Sequence, residues 1–235
     1  MSQRAILDEL RVFDTPLLAN TIGYIDPTPA HKYYMGGSIQ SMTPTLGPTV
    51  GVAVTCEFDS STPDEGPDIE KYNQQMDQMA AMQDPAIWVI KTVGSRPDHE
   101  CVLGDGMAKE LFSNGCIGAI TDGGVRDING MLTVPFAAYA KGKTVHHCAF
   151  RIRAINRPVE VGGLLIEPGD VLHANAEGVI KIPKTCLKEL GAKANQMYVF
   201  EREAHQVLRQ SGLPALTKRR LVQELVVKYG FAKSN

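Results

Sequence analysis

Two short clusters in this chain bring together residue types that can do chemistry. One is the glycine turn Gly104-Asp105-Gly106; the other is the adjacent pair Arg126-Asp127. Between them the spacing predicts a helical run from Met107 to about Asn114, closed by Gly115, a residue suited to the left-handed position after a helix. An apolar run, Ile117-Gly118-Ala119-Ile120, has the length and flanks of a buried strand, and Gly123 and Gly124 break it. The backbone N–H groups at a helix start carry partial positive charge and hold carboxylates or phosphates. Glycines let a ligand approach the backbone closely. Arg126 adds a two-pronged hydrogen bond to a carboxylate. Asp127 is a hard oxygen ligand of the kind magnesium or manganese takes, usually with several waters retained. An anion cradle beside a metal carboxylate suits an α-keto acid, which chelates a metal through two oxygens. An Arg-Asp dipeptide after a glycine turn also occurs as a plain surface ion pair, and local spacing alone does not separate the two readings.

The elements that must position these residues belong to a chain of 235 residues, enough for one large domain or two small ones. With 43% hydrophobic and 21% charged residues the balance is that of an ordinary globular protein. A net charge of −2 argues against a nucleic-acid or membrane-surface partner. No apolar run approaches the roughly 18 residues of a membrane span. The first residues carry Asp8 and Glu9 and lack the basic-then-apolar order of a signal peptide. Five cysteines without CxxC spacing point to buried thiols in a reducing compartment, so the expected location is the cytoplasm.

Residues 3–13 place Ile6, Leu10 and Phe13 on one helical face, and Thr15-Pro16 reads as N-cap and first position of a second helix. Residues 25–38 read as a loop, with His31, Lys32, Tyr33 and Tyr34 exposed in it. Residues 49–58 form a β-rich run and 69–83 a helix with a methionine stripe, best taken as core filler. Residues 86–93 form a strong strand holding the one tryptophan, and 100–103 a short strand leading into the glycine turn. Gly142-Lys143-Thr144 lacks the first glycine of a phosphate loop and is rejected as one. His146-His147-Cys148 looks like a metal cluster, but strand neighbours point to opposite faces, which argues against convergence. Residues 149–182 read as a β-meander. Thr185 reads as the cap of a long helix, and 217–229 resume a helical pattern with a thin apolar face, suited to packing on another subunit. Mixed strands with outer helices predict an α/β layered domain.

The central stretch resembles the family that holds the class II 4-hydroxy-4-methyl-2-oxoglutarate aldolases and the regulator of ribonuclease activity A. The resemblance is carried by Gly104-Asp105, Ala108, Gly115 with Gly118, Ile120, Asp122-Gly123 and Val125-Arg126-Asp127. It extends to Gly51-Val52-Ala53-Val54-Thr55, to Pro158–Gly163, to Pro168-Gly169-Asp170-Val171 and to Gly178-Val179 with Pro183, covering roughly residues 14–205. Ala19-Asn20 stands where the family carries Ser-Asp, and Asn175 and Glu177 replace an acidic pair before Gly178.

The resemblance implies an α-β-β-α sandwich over residues 1–205, with 206–235 as an added helical arm that makes contact between subunits of a homotrimer or homohexamer. It implies that Gly104, Asp105, Gly106 and Met107 hold a substrate carboxylate, and that Arg126 contacts that carboxylate and the developing enolate. By the same similarity Asp127 is the direct ligand of Mg2+ or Mn2+, Asp105 orders metal-bound water, and Glu201 or Glu203 reaches a neighbouring subunit's site. The implied reaction is retro-aldol cleavage of a 4-hydroxy-2-keto acid to give pyruvate, with oxaloacetate decarboxylation as a side activity. The ribonuclease-regulator branch implies instead a non-catalytic, protein-binding role on the same residues. A methyltransferase reading finds no support, since no strand leads into the acidic glycine loop that a methyl-donor nucleotide needs.

Overall fold

A computed structural model of the chain describes residues 2–63, 66–147 and 151–232. The helices α1 (Gln3–Leu10) and α2 (Thr15–Ile22) come first, then the short strand β1 (Gln40–Ser41) and the long strand β2 (Thr49–Asp59). Next are α3 (Glu70–Ala81), β3 (Ala86–Thr92), β4 (Cys101–Leu103), α4 (Asp105–Ser113), β5 (Cys116–Thr121), β6 (Gly124–Val125) and α5 (Ile128–Met131). The strands β7 (Ala137–Ala140), β8 (Gly142–Lys143), β9 (Arg151–Ile155), β10 (Val159–Val161), β11 (Leu164–Ile166), β12 (Val171–Asn175) and β13 (Gly178–Ile182) follow. The helices α6 (Leu190–Leu208) and α7 (Ala215–Lys228) complete the described chain.

The chain has the α/β class that its sequence predicts. The main sheet runs β1-β7-β5-β3-β2-β12-β13, with β9 also on β2. Its centre, β2-β3-β5-β7, is parallel, and β1, β12, β13 and β9 add antiparallel edges. Parallel strands are covered on both faces, and β3 shows why its residues read as one unbroken apolar run. Trp88 and Ile90 point into a core closed by α3, α4 and α5, while Ile87 and Val89 point into a core closed by the β10–β11 hairpin. A third core joins α1, α2 and α6 around Leu10, Leu18, Ile22 and Leu190. Trp88 donates its indole N–H to Gln75 Oε1 at 2.8 Å, and Gln75 donates to the Thr55 carbonyl at 2.9 Å. The indole of Trp88 and the amide of Gln75, both buried, are thereby paired, as their desolvation requires.

Several local expectations shift. Residues 149–182 are not one meander. Of the described part, β9 pairs with β2, β10 and β11 form a separate hairpin, and β12 lies between β2 and β13. Thr15 is the first residue of α2 rather than its cap. Its hydroxyl is hydrogen-bonded at 2.9 Å to Nδ1 of the fully buried His173, whose side chain burial pushes down to a pKa of about 4. His173 is therefore a neutral staple between β12 and α2. Thr185 does not cap the long helix, which starts at Leu190; its hydroxyl donates to Asp26 instead. In the 25–38 loop, Tyr33 is buried while Tyr34 stays exposed.

Candidate active site

The site is assembled by a second, small sheet. Its strands β4, β6 and β8 are parallel, with Leu103 paired to Val125 and Val125 paired to Lys143. The ladder continues one step further: Arg126 N–H donates to the Leu103 carbonyl at 2.9 Å, and Thr144 N–H to the Val125 carbonyl at 3.0 Å. Three chain segments therefore leave this sheet side by side at the carboxyl ends of its strands. They are Gly104 with the start of α4, Arg126-Asp127, and the residues after Thr144. Carboxyl ends of parallel strands are where ligand crevices form in α/β proteins. A cleft of about 290 Å³ lies there, lined by Phe58, Cys101 through Met107, Arg126, His146 and His147.

The glycine turn behaves as its sequence suggests, with one shift. The helix α4 begins at Asp105 rather than Met107, and Gly104 is its extended N-cap, with no side chain of its own to cap the first turn, where the Asp105 carboxylate leans on the Gly106 N–H. The start of this helix is left open to the cleft. A Cβ at Gly104 would fall 3.1 Å from Arg126 Nε and 3.2 Å from Asp127 Oδ2, so any other residue would push both side chains back from the turn by a few tenths of an ångström. At the far end of α4, Gly115 takes the left-handed conformation expected of it, with φ 83°.

Arg126 and Asp127 are joined, with Nε 3.4 Å from Oδ2, and the Asp127 side chain is 46% exposed. Asp127 adopts φ 59° and ψ 38°, the left-handed region, and its carbonyl accepts from Met131 N–H at 3.0 Å to start α5. A non-glycine residue there is uncommon, and such outliers gather at functional sites. Asp105 packs against α5 at Gly130 and pairs with Lys109 Nζ at 2.6 Å. That hydrogen bond is the main reason its carboxyl lies below the usual range, so Asp105 is an anion and a hydrogen-bond acceptor at neutral pH. Met107 turns inward and packs against the core beneath α4.

The two glutamates lie elsewhere on their own chain. Glu201 accepts from Asn20 Nδ2 at 3.2 Å and lines a separate pocket of about 360 Å³ between α2 and α6. Glu203 accepts from Lys228 Nζ at 2.9 Å and from the Tyr229 hydroxyl at 2.7 Å. Neither lines the Gly104–Arg126 cleft of the same chain.

The histidines are the part that sequence reasoning missed. His146 and His147 follow β8 as irregular chain, so strand alternation does not separate them, and both line the cleft. Cys148 lies outside the described residues. Among the described residues no group of three or more His, Cys, Asp or Glu side chains could hold a metal. Asp127 is a half-exposed, hard carboxylate beside the glycine turn, with Oδ2 close to Gly104, but it is not itself among the residues that line the cleft. A single carboxylate of this kind fits an ion that keeps most of its waters, as magnesium does.

The profile of the RraA-like family, described as aldolase/RraA, matches residues 13–181. The chain belongs to the RraA-like family. Among its relatives is a protein of Halalkalibacterium halodurans provisionally named 4-hydroxy-4-methyl-2-oxoglutarate aldolase. It is 39% identical over 80 residues, which is 34% of this chain and 37% of that protein. A protein of Ectopseudomonas mendocina with the same provisional name is 30% identical over 97 residues, 41% of this chain and 60% of that one. The matched stretch thus spans less than two thirds of either relative. Among solved RraA-like structures, RraAS2 of Streptomyces coelicolor, titled an unusual member of the RNase ES inhibitor RraA family, superposes with a TM-score of 0.66. It is 19% identical and covers 86% of this chain and 96% of that one. An uncharacterised protein of Pseudomonas syringae gives a TM-score of 0.67 at 22% identity, covering 92% of this chain and 96% of that one. These likenesses establish the fold. No helix among the described residues is long and apolar enough to cross a membrane.

Proposed function

We propose that this chain is a divalent-metal-dependent pyruvate aldolase that cleaves a 4-hydroxy-2-keto acid of the 4-hydroxy-4-methyl-2-oxoglutarate type. The observation that carries the reading is the meeting of an uncapped helix start, Arg126 and a left-handed Asp127 at the carboxyl ends of one small parallel sheet. The provisional names of the two bacterial relatives support it.

In this reading the amides from Gly104 to Met107 receive the carboxylate of the keto acid, and Arg126 donates to its carboxylate and keto oxygens. Asp127 would hold a magnesium or manganese ion, which supplies Lewis-acid polarisation of the keto group. Asp105 accepts hydrogen bonds and orders a water that takes the 4-hydroxyl proton. The C3–C4 bond then breaks. Its electron pair passes into the keto acid as an enolate, C4 becomes the carbonyl carbon of the second product, and proton return to C3 gives pyruvate. Negative charge grows on the keto oxygen as the bond breaks, and Arg126 stabilises the transition state more than the ground state. Loss of CO2 from oxaloacetate leaves the same enolate, so it belongs to the proposal. The assembly is a homotrimer or homohexamer in which Glu201 or Glu203 meets a neighbouring chain's cleft. The helix α7 is the arm that packs between chains.

The test is pyruvate release from oxaloacetate and from 4-hydroxy-4-methyl-2-oxoglutarate, with magnesium and then with excess chelator. Metal-dependent turnover is expected, and Arg126→Ala is expected to lower it on the order of a hundredfold or more. No release above background by the parent chain sinks the aldolase reading and leaves a protein-binding role on this fold.

A further inference from the structure

The third segment at the carboxyl edge of the small sheet has no part in the chemistry above, yet it reaches the same cleft. The register explains why. Lys143 is paired to Val125, Thr144 continues the ladder, and His146 and His147 follow beyond it into the space that Gly104 and Arg126 also enter. Both imidazoles are exposed at the cleft, and they share it with the titratable or charged groups Cys101, Asp105 and Arg126 from the two neighbouring strands.

We propose that His146 and His147 read the distal end of the substrate and select keto acids that carry a second carboxylate. The assignment rests on the keto-acid reading of the cleft. One carboxylate and the keto oxygen use up the helix-start amides and Arg126. The Phe58, Val102 and Leu103 lining offers no cation for a second anionic group. In that lining the two imidazoles supply the remaining side-chain N–H donors. Solvent screens groups this exposed, so the diacid preference they supply should be on the order of five- to tenfold rather than a thousandfold.

The experiment compares equilibrium binding of 2-oxoglutarate with that of 2-oxopentanoate by calorimetry, in the presence of magnesium, for the parent chain and for the double variant His146→Ala with His147→Ala. The two acids have the same length and differ in the second carboxylate, and neither has the 4-hydroxyl needed for cleavage. The parent's preference for the diacid should exceed the variant's about five- to tenfold. The variant should bind 2-oxopentanoate as the parent does. If both acids bind the parent and the double variant keeps the parent's ratio, the histidine assignment is wrong and the keto-acid site stands. If neither acid binds the parent, the keto-acid reading fails and takes this assignment with it.

Discussion

Asp127 holds a conformation that most side chains resist, and this separates its two contributions. The backbone sits at φ 59°, where Asp and Asn are tolerated and other L-residues lose roughly 1–2 kcal/mol. The carboxylate supplies the hard oxygen. Asp127→Asn keeps the backbone preference and removes the charge; Asp127→Ala removes both. The asparagine variant should melt within about a degree of the parent but show no magnesium-dependent turnover. The alanine variant should be equally inactive and melt about 2–8 °C lower. Differential scanning calorimetry with the pyruvate assay checks both, and an active Asp127→Asn protein would remove Asp127 from the metal site. The pair Arg126-Asp127 was visible in the sequence as a candidate, although its residue types alone left a plain surface ion pair open. The left-handed backbone was not, since nothing in Val125-Arg126-Asp127 signals φ. His146 and His147 were weighed only as part of a metal cluster, and set aside by an alternation rule that presumes a strand where the chain runs irregularly.

At the scale of elements, β9 is tied to the end of β2 by charge. Asp59 is buried and accepts from Arg151 Nη2 at 3.1 Å, from both donors of Arg153 and from Thr62 N–H at 3.0 Å. Burial alone would raise its carboxyl, but the hydrogen bonds from Thr62, Arg153 and Arg151 outweigh that and hold it well below the usual range. A depressed folded-state pKa stabilises the fold above the unfolded value of about 3.9, and that stability is lost as pH falls below it toward the folded value. Melting temperature should therefore drop from pH 5 to pH 3 in the parent. Asp59→Asn should flatten that acid limb. At pH 7 it should cost about 3 kcal/mol, because it removes the carboxylate that balances the buried Arg151 charge, and so about 6–12 °C in melting temperature. Melting curves from pH 3 to 7 decide it; an unchanged acid limb in the variant would refute it. None of this was legible beforehand. The partner of Asp59 lies 92 residues away in the chain. The strands that build the cleft were equally hidden, because β4, β6 and β8 have 3, 2 and 2 residues, too few to show a period. The long elements β2, β3 and α3 were read correctly because each is long enough to show its apolar run or its helical period.

For the whole molecule, the α/β class followed from the alternation of apolar strands with amphipathic helices. The pairing of β12 with β2 did not, since it depends on contacts between distant segments. The C-terminal arm shows both sides of this. Its thin apolar face was visible in sequence, and no residue of α7 is buried. What holds it was not visible, because the anchor follows the helix. Phe231 is 2% exposed, with its ring 4.9 Å from Tyr24 and 5.4 Å from Phe200, and Lys193 Nζ lies over it at 4.7 Å. Truncating it should cost about 3–5 kcal/mol and lower the melting temperature by at least 6 °C. The outer face of α7 is different: Leu216 is 78% and Val227 63% exposed, and neither has a core to lose. If this face packs against another copy, Leu216→Glu with Val227→Glu places charges in an apolar contact that cannot pair them. Sedimentation equilibrium should then report a smaller assembly than the parent's, whereas Phe231→Ala should act first on melting temperature. An unchanged mass for the glutamate variant would mean that α7 is no contact between copies, and its exposed side chains would be ordinary surface.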